Sequence, residues 1–125
     1  PAAEQSLRQC LETLGQQIDQ LTRLIRKHLR SREELRESIK YLSSIPGIGI
    51  LTIAVVLAET TGFQQFHKIS QLISFSGYDV IIRQSGKWAG KPRISKQGSK
   101  YIRRAMFMPA SAVVRSGTGP TYRLY

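Results

Sequence analysis

Basic side chains dominate one short stretch of this 125-residue chain. Between positions 83 and 104 there are eight lysines and arginines and no acidic residue. A solvated helix face normally carries both signs of charge, so a run of one sign favours a polyanionic partner over simple solvation. We therefore predict contact with nucleic acid, with an affinity that falls steeply as the salt concentration rises. The eight residues are Arg83, Lys87, Lys91, Arg93, Lys96, Lys100, Arg103 and Arg104.

Carboxylates are scarce around these basic residues. Residues 1–44 carry eight basic and six acidic side chains, a net charge of +2. Residues 45–125 carry eleven basic side chains and only Glu59 and Asp79 as acids, a net charge of +9. Two-metal phosphoryl transfer uses a cluster of about three or four carboxylates. We therefore expect this chain alone to be unable to build such a metal site.

A turn containing two glycines is a second candidate for phosphate binding. The sequence Ile-Pro-Gly-Ile-Gly at residues 45–49 follows a helical pattern and precedes the apolar run 50–59. Pro46 should end the first helix, and the glycines leave the amides at the start of the second helix open to an anion. This spacing is typical of a helix-hairpin-helix motif, which grips DNA phosphates through backbone amides, here at Gly47 and Gly49. The alternative is an ordinary turn between two helices that serves only packing.

The first part of the chain carries the pattern of a coiled coil. Apolar residues recur with alternating gaps of four and three from Leu7 to Leu42, a heptad repeat over five heptads. Isoleucine in one column and leucine in the other favour a parallel two-stranded coiled coil. A helix over about residues 5–43 would be roughly 58 Å long, so we predict that it pairs with a second copy or packs on a neighbouring part of a longer protein. His28 and Arg32 interrupt the seam, either as a register-setting device or as a place where the seam frays.

The remaining segments predict short helices joined by an irregular stretch. Residues 69–76 have helical periodicity and are followed by a glycine. Residues 79–94 predict an irregular loop or a short extended hairpin, and a last helix at about 98–115 can be capped by Ser95 or Ser99. The predicted fold class is all-α, with a long N-terminal coiled-coil helix followed by a small helical domain containing the helix-hairpin-helix. The predicted organisation is a coiled-coil dimerisation helix at 1–43, a DNA-binding domain at 44–116 and a flexible tail at 117–125.

Composition excludes several other classes of protein. The single cysteine, Cys10, rules out an intrachain disulfide framework and a cysteine-based zinc site. The longest apolar stretch, 45–58, is shorter than the ~20 residues that a membrane span requires. The N-terminus lacks the pattern of a secretory signal. We expect a soluble, cytoplasmic protein that does not enter the membrane.

Three motifs, in this order along the chain, resemble one family of enzymes. They are Ser-Ile-Pro-Gly-Ile-Gly at 44–49, Gln-Ser-Gly-Lys at 84–87, and Ile-Ser-Lys-Gln-Gly-Ser-Lys-Tyr-Ile-Arg-Arg-Ala at 94–105. Residues 40–116 are similar to the C-terminal transposase domain of bacterial insertion sequences of the IS110, IS116 and IS902 type. The leading heptads resemble the coiled coil that precedes this domain. The sequence departs from the family at Tyr78-Asp79-Val80, where a proline commonly follows the acid.

The resemblance implies a role in DNA transposition and DNA recombination. Members look like serine-using recombinases that pair this domain with a RuvC-like nuclease domain, which would supply the acidic residues for a divalent metal such as Mg. A structured guide RNA is a further implied partner. The serine of the Ser-Gly pair is the implied nucleophile and corresponds to Ser85, with Ser95 and Ser99 as alternatives.

We therefore expect part of a longer recombinase that is inactive on its own. The alternative is a non-catalytic, dimeric helix-hairpin-helix protein that binds DNA, and a third hypothesis is an RNA-binding module with a basic loop. Tyr78 and Trp88 are candidates to stack on bases, although aromatic residues in loops are as often hydrophobic anchors.

Overall fold

A computed structural model describes residues 1–82, 84–85 and 88–117 of the chain. These residues are mostly helical, as predicted, with short strands that the all-α class did not include. The chain divides into two compact units, Pro1–Glu37 and Ser38–Tyr125. The helices are α1 (Ala2–Arg30), α2 (Arg36–Ser43), α3 (Ile50–Glu59), α4 (Ile69–Ser76) and α5 (Lys100–Ser116), with 3-10 turns at Glu33–Leu35 and Thr61–Phe63.

Helix α1 is long and leaves its apolar stripe exposed. Its 29 residues extend over about 44 Å. Glu4 in the first turn and basic residues in the last turn complement the helix dipole. Ile25 is half-buried, but five apolar side chains at earlier heptad positions are 48–70% exposed, so this part of the stripe contributes little to a core. They are Leu7, Leu11, Leu14, Ile18 and Leu21.

The prediction of one helix over residues 5–43 is wrong, because α1 ends at Arg30. Arg32 has extended backbone angles, φ −98° and ψ 97°, and the 3-10 turn Glu33–Leu35 separates it from α2. The heptad positions therefore lie on a single helix only as far as the last turn of α1. Arg32 lies outside any helix and is not a polar core position of one continuous seam.

Local charge and hydrogen bonding explain the break. Lys27 and its basic neighbours in the last turn of α1 favour a helix C-terminus, and Glu33 and Glu34 directly afterwards favour a new helix N-terminus. The hydroxyl of Ser31 donates to the carbonyl of His28 at 2.8 Å, which competes with continuation of the helix. The pKa of Glu34 lies below its usual value, because its own backbone N–H and then a neighbouring arginine bond to the carboxylate.

The core of the second unit forms where α3 packs against α5. Ile53 and Leu57 of α3 and Ile102 of α5 are at most 4% exposed. Burying each such side chain contributes about 1.5–3 kcal/mol. Thr60 is fully buried just after α3, and its hydroxyl donates to the carbonyl of Val56 at 2.6 Å. Helix α3 is the central element that positions the rest of this unit.

Two helix ends confirm expectations from the sequence. Helix α4 stops at Gly77, which adopts the left-handed conformation at φ 69°. At the start of α5 the hydroxyl of Ser99 accepts a hydrogen bond from the N–H of Ile102 at 3.2 Å. Ser99, and not Ser95, is therefore the cap of the last helix.

The segment between α4 and α5 is a short antiparallel hairpin, one of the two predicted possibilities. Strand β1 (Val80–Ile81) pairs with β4 (Arg93–Ile94) near its base. Strand β2 (Gln84–Ser85) pairs with β3 (Trp88–Ala89) farther out. The connection between β3 and β4 is one residue longer than the connection between β1 and β2, so the two ladders are offset.

Candidate nucleic-acid interface

The turn between α2 and α3 gives its two glycines different roles. Gly47 has φ +84°, and a Cβ there would lie 3.1 Å from the carbonyl oxygen of Pro109 and 3.4 Å from Cγ2 of Val113. Gly47 is therefore required by close packing of the turn against α5. A Cβ at Gly49 would meet nothing within 4 Å, and its φ of −94° is open to any residue. The packing of the described chain does not explain a glycine at position 49.

The start of α3 lies directly behind Gly49. The carbonyl of Gly49 accepts the first helical hydrogen bond, from the N–H of Ile53 at 3.0 Å. No side chain in the described part of the chain caps this helix start. The first-turn amides of this ten-residue helix lie next to Gly49, which has no side chain to block the approach of an anion. This arrangement suits a phosphate oxygen.

Ser85 lies in β2, the outer strand of the hairpin, opposite Trp88 in register. It is exposed, and its hydroxyl makes no hydrogen bond with the described residues. Of the basic residues in this segment, Lys91 and Arg93 are exposed. The predicted contacts Arg83 and Lys87 lie outside the described residues, as does the tail from residue 118 onward.

The two alternative serines are held by the only two acidic residues of the second half of the chain. The hydroxyl of Ser95 donates to Oδ1 of Asp79 at 2.5 Å and accepts from the N–H of Gln97 at 3.2 Å. The backbone N–H of Ser95 also donates to the carbonyl of Asp79, at 2.8 Å, which closes the base of the hairpin. This pair ties the two ends of the hairpin together.

The second serine–carboxylate pair joins α3 to the start of α5. The hydroxyl of Ser99 donates to Oε2 of Glu59 at 2.6 Å while also capping α5. In each pair the serine hydroxyl donates a hydrogen bond to a half-buried carboxylate, which would otherwise lack this partner. The partners are 16 and 40 positions apart, so no local spacing in the sequence signals them.

The basic residues of α5 divide into two kinds. Lys100 and Arg104 are exposed, and the Lys100 ammonium lies 5.3 Å from the centroid of the Tyr101 ring. Arg103 is half-buried, and its Nη1 donates to the carbonyls of Ser76 at 2.9 Å and Gly98 at 3.1 Å. Arg103 therefore differs from the other two predicted contacts on this helix, because it also holds the end of α4 against the start of α5.

Lys96 is the last of the predicted DNA contacts that lie within the described residues. Its side chain is exposed, and its backbone adopts φ +57° with its N–H bonded to the carbonyl of Gly77 at 3.0 Å. Within residues 1–82, 84–85 and 88–117 no group of three or more His, Cys, Asp or Glu side chains could hold a metal ion. Glu59 and Asp79, the two acids of residues 45–125, are fewer than the about three or four carboxylates that a two-metal site uses. None of the described helices is both long and apolar enough to cross a membrane.

The described part of the second unit is mostly helical and carries exposed cations on its hairpin and on α5. Comparison with known proteins identifies the class as a transposase or recombinase. Residues 39–125 match the family described as "Transposase IS116/IS110/IS902 family". The chain belongs to this family, as its motifs predicted.

Individual relatives agree with this assignment. The chain is 32% identical over 89 residues to the transposase for insertion sequence element IS1111A of Coxiella burnetii, covering 71% of this chain and 24% of the relative. It is 31% identical over 109 residues to the pilin gene-inverting protein of Moraxella bovis, covering 86% and 34%. It is 30% identical over 105 residues to a probable family 20 transposase of Pseudomonas aeruginosa, covering 84% and 30%. The chain thus spans about a quarter to a third of the length of these relatives.

Proposed function

We propose that this chain is the DNA-binding, serine-bearing C-terminal part of a bacterial insertion-sequence transposase. The observation that carries the proposal is the contrast among the three candidate serines. Ser85 is exposed in a basic hairpin with no hydrogen bond to the described residues, whereas Ser95 and Ser99 are bonded to carboxylates. A nucleophile must be accessible to its substrate, and a residue that caps a helix or closes a hairpin is already used.

The proposed reaction is attack of the Ser85 hydroxyl on a DNA phosphodiester. The Oγ–P bond forms, the bond from phosphorus to one deoxyribose oxygen breaks, and that oxygen takes up a proton as the Oγ proton leaves. The product is a phosphoserine linkage that conserves the energy of the ester for rejoining to another strand. Cations near the phosphate would stabilise the charge that develops in the transition state, and Lys91 and Arg93 on the same hairpin are exposed for this role.

DNA binding is proposed to involve two surfaces of the second unit. At one surface, α2 and α3 serve as a helix-hairpin-helix in which the open amides after Gly49 bind a phosphate. At the other, the cations of the hairpin and of α5 contact the backbone. Neither surface reads base edges in this proposal, so sequence specificity comes from elsewhere, and a structured guide RNA is the partner proposed for it.

Further proposals concern the metal-binding domain, the oligomer and the place of action of the enzyme. A RuvC-like nuclease domain would contribute the carboxylates and a divalent metal such as Mg, since residues 45–125 hold only Glu59 and Asp79 as acids. Helix α1, with its exposed stripe, is proposed to dimerise as a coiled coil. The enzyme is proposed to act on DNA in the bacterial cytoplasm, and this chain is proposed to be inactive alone.

The test is to trap the covalent intermediate in the full-length transposase that carries this chain. We expect a nicked or suicide DNA substrate to yield a protein–DNA adduct on the peptide that contains Ser85. Ser85→Ala should reduce strand transfer by at least about a thousandfold and leave DNA affinity within about twofold. An adduct mapped to Ser95 or Ser99 would overturn the assignment of the nucleophile.

A matched variant separates catalysis from folding. Ser99→Ala removes the cap of α5, which contributes about 1 kcal/mol, and the hydrogen bond to Glu59, which contributes about 1.5–3 kcal/mol, while an adduct at Ser85 still forms. If Ser85→Ala leaves strand transfer intact and DNA binding persists, the chain acts as the non-catalytic DNA-binding alternative.

A further inference from the structure

A groove beside α5 has not been used by the proposed reaction. It is an open surface groove of about 720 Å³. Its apolar lining is unusually exposed, with Phe107 at 67%, Met108 at 69%, Ile94 at 39% and Tyr78 at 37%. Single exposed apolar residues are ordinary, but several sharing one concave surface indicate a binding site.

The same groove carries positive charge that no acidic residue neutralises. Lys96 and Arg104 line it and are exposed to solvent. Arg103 also lines it, half-buried, with its Nη1 bonded only to the neutral carbonyls of Ser76 and Gly98. Within the described part of the chain, no carboxylate oxygen lies within 4 Å of any of these three cations. The groove therefore combines an apolar floor that includes two aromatic rings with cations held at defined positions.

We propose that this groove binds an unstacked nucleotide of single-stranded DNA. The base would lie against Phe107 and Tyr78, and the adjoining phosphates would bind Lys96 and Arg104. Duplex DNA presents only phosphates and base edges, so it satisfies the cations but leaves the apolar floor exposed. A single strand with free bases offers phosphates to the cations and base faces to the apolar floor. This complementarity of charge and surface favours single-stranded DNA as the occupant.

The inference rests on the proposed function and deepens it. An enzyme that moves a strand from one phosphodiester to another needs the cut strand to leave its duplex and be held meanwhile. A groove for single-stranded DNA beside the hairpin that carries Ser85 would hold such a strand. Both belong to the second unit, and Ile94 of the hairpin's own β4 forms part of the groove wall.

The test uses the complete 125-residue chain and two oligonucleotides of equal length. One is an unstructured single strand containing 2-aminopurine, and the other is the same strand in a duplex. Phe107→Ala should weaken binding of the single strand by about 5- to 150-fold, since stacking is worth ~1–3 kcal/mol per base, and change duplex binding by less than about twofold. Phe107→Leu should lose most of the same affinity while preserving apolar packing.

Tyr101→Ala provides the matched control. Tyr101 is an aromatic residue of the same helix with 55% exposure, but it does not line this groove. We expect it to leave single-strand affinity unchanged. Circular dichroism of each variant checks that the fold is retained. The 2-aminopurine fluorescence, quenched by stacking in wild type, should recover when Phe107 is removed.

Several results would overturn the inference. If Phe107→Ala lost equal affinity for the single strand and the duplex, the groove would be a general phosphate-binding site. A loss seen only with a single-stranded RNA of the same sequence would reassign it from DNA. Conversion of a wild-type oligomer to a monomer by Phe107→Ala, with DNA binding unchanged, would make the groove a protein interface. If wild-type chain binds neither single strand nor duplex, the proposed function itself fails, which is a distinct outcome.

Discussion

The clearest quantitative prediction concerns Arg103 and Arg104, neighbours in sequence with opposite environments. Arg103 is half-buried and donates two hydrogen bonds to the carbonyls of Ser76 and Gly98. Arg104 is exposed and no hydrogen bond or ion pair of its side chain to the described residues is seen. Changing each in turn to methionine removes the guanidinium while keeping most of the apolar stem. The two variants therefore differ only in the bonds that the guanidinium makes.

The magnitude follows from those bonds. A hydrogen bond to a charged group contributes about 1.5–3 kcal/mol, so two bonds set an upper limit near 3–6 kcal/mol. Partial exposure lets water replace some of this, which leaves about 2–3 kcal/mol for Arg103→Met. Arg104→Met should change the free energy of unfolding by less than about 0.5 kcal/mol. Arg103→Lys should also lose most of the stabilisation, because the lysine side chain is one bond shorter and does not place its ammonium where Nη1 reaches both carbonyls.

Urea denaturation followed by far-ultraviolet circular dichroism provides the measurement. With a slope of about 2 kcal/mol per molar urea, Arg103→Met should lower the midpoint by about 1–1.5 M and Arg104→Met by less than about 0.3 M. The order of the two variants should be reversed for binding to duplex DNA, where Arg104→Met should have the larger effect. Arg104→Met should reduce the dependence of log affinity on log salt by about one unit without loss of stability.

Equal midpoints for the two variants would refute the assignment of Arg103 as the connection between α4 and α5. A fully stable Arg103→Met with a reduced salt slope would instead make Arg103 a phosphate contact, as the sequence alone suggested. Arg103→Lys that restores wild-type stability would show that charge, and not the paired hydrogen bonds, holds this joint.

Two further predictions concern the glycine turn and α1. Gly47→Ala should cost about 1–3 kcal/mol of stability, whereas Gly49→Ala should be neutral or slightly stabilising yet weaken duplex binding severalfold. Equal stability of the two variants in urea would contradict the distinct roles assigned to these glycines. Replacing Leu14 and Ile18 by lysine should convert a dimer to a monomer in sedimentation equilibrium without unfolding the second unit, and a wild-type chain that is already monomeric at high concentration would refute the coiled coil.

Local elements were predictable because their signals are local. A glycine after the periodic run 69–76 marked the end of α4, and the proline of the glycine turn marked the end of α2 ahead of α3 at Ile50. The hairpin over 79–94 was foreseen as one of two possibilities. The prediction of a continuous helix to residue 43 was wrong. It followed the heptad spacing of apolar residues and gave too little weight to the charge reversal and the serine that end α1 at Arg30.

The amino-acid sequence by itself determined the family, the excess of positive charge in the second half and the three serines available for chemistry. Tertiary structure alone decided which of them is engaged, because the carboxylates that bind Ser95 and Ser99 come from distant positions. It also turned one arginine of the α5 face inward and gathered Tyr78, Ile94 and Phe107 around one groove. The physical reason is the same for the two serines and the arginine: a half-buried polar group must find a partner wherever the fold brings one, and that partner need not be near in sequence.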